Sequence, residues 1–127
     1  MMRYIGNGIM NRKSIVIGDL ILSIFVVFLK DKRTSELNAS LLTRHIEHLR
    51  HLNQEGKLMV GGPFKNNEEA MIILNCGDID EAISIAESDP FIKEKYFNTY
   101  EINELIVVNE ENNWLMDSPQ TNGNLIH

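Results

Sequence analysis

Between Ser14 and Leu29 the chain is apolar at nearly every position, and what this run becomes decides the fold. Arg3, Arg12 and Lys13 precede it, which is the order of charge and apolar residues seen at a signal anchor. Three features oppose that reading. Gly18-Asp19 interrupts the run. No small-x-small cleavage pattern follows it. The run is also shorter than the roughly 20 apolar residues a helix needs to cross a bilayer. β-branched and aromatic residues dominate it, and these favour strand. The run therefore reads as a hairpin: Ile15-Val16-Ile17, a turn at Gly18-Asp19, then a second strand from Leu20 through Leu29. The expectation is a soluble, cytoplasmic protein with no membrane partner.

The rest of the chain alternates helix and strand signals. A polar turn is expected at Lys30-Asp31-Lys32-Arg33 and a helix over 35–55. Leu41, Leu42, Ile46, Leu49 and Leu52 recur there at three- and four-residue spacing, which places them on one face. Gly56 suits the end of that helix because glycine adopts the left-handed conformation cheaply. Lys57-Leu58-Met59-Val60 reads as a short strand stopped by Gly61-Gly62-Pro63, followed by a polar loop over 64–69. The segment 70–76 (AMIILNC) reads as a strand covered on both faces. Asp78, with Glu81 three residues on, marks the start of a second helix with Ile79, Ala82, Ile83 and Ala86 buried. Asp89-Pro90 breaks it and opens a short helical turn through Lys95. The last strand is expected over 100–108. After it, Trp114-Leu115-Met116 is the part of an otherwise loose tail able to tuck onto the body.

The order is thus strand, helix, strand, strand, helix, strand. That is the α+β, ferredoxin-like β-α-β-β-α-β unit with an antiparallel sheet. Two helices cover one face of such a sheet. The other face needs a partner, and a homodimer supplies one most simply. The expected organisation is an N-terminal extension at 1–19, the folded unit at 20–108 and an acidic tail at 109–127.

Composition excludes more than it assigns. The formal charge of −6 argues against a nucleic-acid partner, which normally meets a basic stripe. The first thirty residues carry four cations against one acid, whereas Glu101 onward carries five acids and no Lys or Arg. The single cysteine, Cys76, rules out an internal disulfide framework and a cysteine-based zinc cage. In an apolar strand it reads as an inert buried thiol. Gly61-Gly62-Pro63-Phe64 lacks the phosphate-loop pattern; it reads as a strand end where backbone approaches closely, or as the rim of a small pocket.

His45, His48 and His51 fall at three-residue spacing. At about 100° per residue, His45 lies inside the apolar arc, His48 at its edge, and His51 turns away with Arg44 and Glu47. They converge poorly on one ion, so no metal is expected. An imidazole within a core-facing stripe is costly unless its nitrogens find partners. Two readings of His45 remain open: a core histidine satisfied by backbone, or a general acid/base in a pocket beneath the helix. Asp89 likewise reads as a helix cap, with one carboxylate oxygen for the cap and the other free to orient an imidazole.

Four short pieces, in order, resemble the YciI-like (YCII-related) family over residues 24–108. They are the histidine helix Arg44-His45-Ile46-Glu47-His48-Leu49 running into Gly56-Lys57-Leu58, then Gly62-Pro63, Asp89-Pro90-Phe91 and Tyr100-Glu101-Ile102. The resemblance implies a ferredoxin-like subunit that pairs as a dimeric α/β barrel. It also implies a His–Asp pair, His45 and Asp89, facing a small pocket, with Gly62, Pro63, Phe91 and Tyr96 around it. His48 and His51 do not carry over. The family often has glycine where Lys95 stands and a small apolar residue where Tyr96 stands; the bulkier Tyr96 is expected to narrow the pocket mouth. Relatives of this kind move a proton on small cyclic substrates. The function expected from the resemblance is a cofactor-independent lyase or isomerase, with a non-catalytic ligand-binding or regulatory dimer as the alternative.

Overall fold

In the computed structural model, residues 14–17 and 20–122 are described. The expected turn at Gly18-Asp19 and residues 1–13 of the N-terminal extension lie outside them. The elements are β1 (Ser14–Ile17), β2 (Leu20–Lys32), α1 (Ala39–Gln54), β3 (Leu58–Pro63), β4 (Ala70–Cys76), α2 (Ile79–Ser88), α3 (Pro90–Lys93) and β5 (Phe97–Leu105). A 3-10 helix (Glu110–Leu115) and α4 (Pro119–Asn122) follow.

β2 pairs with β4 on one edge and with β5 on the other, and β4 pairs with β3, all antiparallel. The spatial order β5-β2-β4-β3 with this chain order is the ferredoxin-like arrangement. β1 adds to the first residues of β2, from Ser14↔Ser23 to Ile17↔Leu20.

Alternation along the strands builds the core. Phe25, Val27 and Leu29 of β2 pair with Leu74, Ile72 and Ala70 of β4, and all six are buried toward the helices. Leu41 and Leu52 of α1, Ala82 and Ala86 of α2, and Phe91 of α3 meet them. The opposite face carries the half-buried Val26, Phe28, Met71 and Ile73. Their apolar character is why β4 reads as a strand covered on both sides.

Local chemistry sets the helix ends. The Asn38 side chain accepts from Leu41 N at 2.8 Å, so α1 starts at Ala39 and not at Ser35. Gly56, with φ 75°, closes it as expected. Asp78 accepts from Glu81 N at 2.8 Å, and Glu81 reaches back to Gly77 N at 2.9 Å.

Several expectations give way to sheet pairing. β2 continues through Lys32 where a polar turn is expected, with Asp31 left-handed (φ 57°). β3 runs through Gly61-Gly62-Pro63 because it is an edge strand, where proline is tolerated. β5 begins at Phe97 and ends at Leu105 because its register is fixed by β2, from Lys32↔Phe97 to Ile24↔Leu105. Leu42, Ile46 and Ile79 remain partly exposed, so each helix carries more apolar surface than the sheet covers. In the tail Leu115 is buried, while Trp114 (58% exposed) and Met116 face solvent. One irregularity lies in β3. Leu58 pairs with Leu74 and Val60 with Ile73, so the ladder shifts by one residue at this point.

Lys57 ties the start of β3 to α2, its Nζ 2.9 Å from Glu81 Oε2. Burial pushes the Glu81 carboxyl upward, but the Gly77 N–H and Lys57 outweigh it and hold the group below its usual range. Glu81, in turn, raises Lys57. A carboxyl depressed in the folded state contributes stability above its unfolded pKa, and that contribution disappears as pH falls through the folded value. Glu81→Gln is therefore expected to lower the melting temperature at pH 7. Scanning calorimetry should show the gap from wild type narrowing as pH falls below about 4.

Candidate active site

Asp89 sits at the junction of two helices. Its backbone ends α2, and its side chain caps α3, where Pro90 takes the first position. Asp89 Oδ1 accepts from Phe91 N at 2.9 Å. His45, two turns into α1, brings Nδ1 to 2.8 Å from the same Oδ1. One oxygen thus serves both the cap and the imidazole, which corrects the expected division between the two. Oδ2 is buried and has no hydrogen-bond partner among the described residues. The Asp89 residue is 1% exposed and the His45 side chain 12%, so the pair is shielded from bulk water.

Carboxylate acceptance fixes the imidazole. Nδ1 carries the proton that Asp89 receives, and Nε2 is left for whatever occupies the cavity. Phe91 fixes the ring plane: the His45 and Phe91 rings stack with centroids 3.7 Å apart and planes within 5°. Tyr96 and Phe97 continue the aromatic cluster behind Phe91.

His45 opens on a cavity of about 370 Å³. Gly62, Pro63, Phe91 and Tyr96 line it with His45, so the structure brings all the expected pocket residues to one place. Asp89 stands behind the wall, joined to it through His45 and Phe91. Leucine, isoleucine and aromatic side chains make up most of the lining, with Asn67 as a polar exception. A concave apolar site with few polar groups suits a small, largely apolar ring. Gly61 permits a close approach here: a Cβ on it would meet Met71 O at 3.1 Å and Ile72 Cγ1 at 3.2 Å. Gly62 has open space around it and carries no such restriction.

Sequence reasoning missed the outer half of the site. A larger cavity of about 740 Å³ shares Leu37, Asn67 and Tyr96 with the inner one. Lys32 and Arg33 flank the Tyr96 ring, 5.8 and 5.5 Å from its centroid. Both cations lie in the stretch expected to be a turn, and only the continuation of β2 places them here.

The three histidines part as helical geometry requires. His48 is half-buried beside a separate cleft, and the exposed His51 is 3.7 Å from Glu55. Among the described residues no group of three His, Cys, Asp or Glu side chains is placed to hold a metal ion. Cys76 is buried, and desolvation pushes its thiol up to about 12, so it stays protonated at neutral pH. Among the described residues no helix is long and apolar enough to cross a membrane.

The YCII-related domain matches residues 24–106. Among solved structures, a 5-chloro-2-hydroxyhydroquinone dehydrochlorinase from Burkholderia phenoliruptrix AC1100, in complex with 2,5-dihydroxybenzoquinone, is 27% identical. The match covers 65% of this chain and 92% of that one, with a TM-score of 0.49. An uncharacterized protein from Thermotoga maritima is 16% identical over 65% of this chain and 91% of its own, with a TM-score of 0.33. No curated protein matches the chain.

Lys95 lies between α3 and the cavity residue Tyr96 and is left-handed, with φ 59°. The glycine that YciI-like sequences often carry here fits that conformation without strain. A left-handed non-glycine residue costs roughly 1–2 kcal/mol, offset in part by the entropy glycine brings to the unfolded chain. Lys95→Gly should therefore raise the melting temperature by a few degrees, measured by thermal denaturation followed by circular dichroism.

Proposed function

The chain belongs to the YCII-related domain family, and from that premise we propose that it is a small, cofactor-independent lyase or isomerase acting on a cyclic or aromatic substrate. The observation that carries the reading is the 2.8 Å His45–Asp89 contact, buried at the wall of an apolar cavity. His45 Nε2 takes a proton from a carbon or hydroxyl of the substrate. Asp89 holds the ring in the correct tautomer and stabilises the imidazolium that forms. In an isomerisation the proton returns to another atom of the same substrate. In an elimination the electron pair of the broken C–H or O–H bond expels an anionic leaving group, and His45 later gives its proton to solvent. General acid–base catalysis of this kind contributes about 10²–10⁴-fold.

The same lining also suits a binding module that retains an aromatic ligand without turning it over. A screen of lactones and halogenated hydroxyquinones separates the two. Turnover that His45→Ala reduces by about 10²-fold or more supports the enzyme. Ligands that raise the melting temperature with no turnover support the binding module. Independently, ¹⁵N-detected NMR of Asp89→Asn should show the Nε2–H tautomer of His45 rising, as expected when a carboxylate orienter becomes an amide.

The partner in this reading is a second copy of the chain, docked through the face that carries Val26, Phe28, Met71 and Ile73. A half-buried apolar sheet face of this kind suits such an interface. Sedimentation should give a dimer, and Ile73→Lys a monomer. A cytoplasmic location fits the free thiol of Cys76.

A further inference from the structure

The carboxylate of Asp89 is only half used. Oδ1 accepts from His45 and from the Phe91 backbone, whereas Oδ2 is buried and unpartnered among the described residues. An uncompensated carboxylate oxygen in a dry setting is costly, so a donor within reach is favoured to close on it. His48 follows His45 by three residues and therefore projects from the same side of α1. It lines a cleft of about 480 Å³ whose opposite wall includes Ser88 and Pro90, the two neighbours of Asp89. His48 thus faces the segment carrying the aspartate across a cleft separate from the His45 cavity. Its other titratable neighbours in that cleft are Arg44, Glu47 and His51 on its own helix, and Lys93 and Glu94 across from it. Arg44 is engaged by Glu94, and Glu47 by Arg50 at 2.5 Å, so neither acid competes freely for the imidazole.

We infer that His48 is a positioning residue for the His45–Asp89 pair, its imidazole N–H closing on Asp89 Oδ2. This rests on the reading of His45 and Asp89 as a working pair. With His48 in place, Asp89 accepts from three donors and cannot rotate away from His45. The role suits a neutral ring, which keeps one N–H to donate and one nitrogen open to the cleft. Desolvation holds His48 below the usual histidine range, against the opposing pull of Asp89, so it is neutral at pH 7.

The test reads the two rings directly and needs no substrate. The full chain, labelled with ¹⁵N-histidine, is examined by long-range ¹H–¹⁵N correlation at pH 7 as wild type, His48→Ala, His48→Gln and Asp89→Asn. In wild type, His48 is expected in a single tautomer, and Asp89→Asn redistributes it. His48→Ala should loosen His45, raising its Nε2–H tautomer. His48→Gln, which retains an N–H donor, should restore the wild-type His45 signals. Equal effects of the alanine and glutamine variants on His45, or a His48 tautomer mixture unchanged by Asp89→Asn, overturns the inference. Should Asp89→Asn fail to fold, the alanine–glutamine comparison still decides. An absence of turnover in any screen defeats the enzyme reading and leaves this outcome untouched.

Discussion

Two helices and one imidazole meet on a single oxygen. Asp89 Oδ1 accepts the Phe91 N–H that starts α3 and the His45 Nδ1–H that comes from α1. The cap alone is worth about 1 kcal/mol in a typical protein. Here it also decides where Phe91 stands. That ring covers His45 at 3.7 Å and passes the packing on to Tyr96 and Phe97. The orientation of the imidazole, the position of the aromatic cluster and the junction of α2 with α3 therefore share one cause. Loss of the carboxylate removes all three together, so local stability and chemistry at this site are coupled.

The pair is held by elements far apart in the chain, and the sheet brings them together. β2, as the central strand, sets the register of both β4 and β5. β4 presents Ala70 and Ile72 as cavity wall. β5 begins directly after Tyr96, so the pairing of Lys32 with Phe97 fixes how far Tyr96 reaches over the opening. His45, Ala70, Ile72 and Phe91 sit on helices and strands, and Asp89 is pinned at the junction of two helices, which gives these groups the rigidity that proton transfer requires.

How much of this the residues disclose depends on the range of the force involved. β4 is legible to the residue because its apolar run is bounded by polar loop and Gly77-Asp78. The caps at Asp78 and Asp89 are legible because they are chemistry within three residues. His45 and Asp89 are found by an odd residue in an apolar stripe and by a short signature, and geometry then supplies the contact. What the residues do not disclose is long-range. The start of β5 follows from its ladder with β2, and its own composition misplaces it by three residues. The passage of β3 through Gly61-Gly62-Pro63 depends on its being an edge. The shared use of Oδ1, and the unpartnered Oδ2, are visible only once α1 and α3 are side by side.

The irregularity in β3 has an outcome for the cavity. Partners in an antiparallel ladder share a face, so Leu58 opposite Leu74 points toward the helices, and so does Gly61 opposite Ile72. Val60, opposite Ile73, points away. Were Met59 paired in a regular ladder and not bulged out, Val60 would face Ile72, every later side chain would change sides, and the branched valine would stand where glycine now leaves room. The hollow beside His45 is therefore a matter of counting as much as of side-chain identity. The same amino acids in an unbroken ladder would fill the space in which they act.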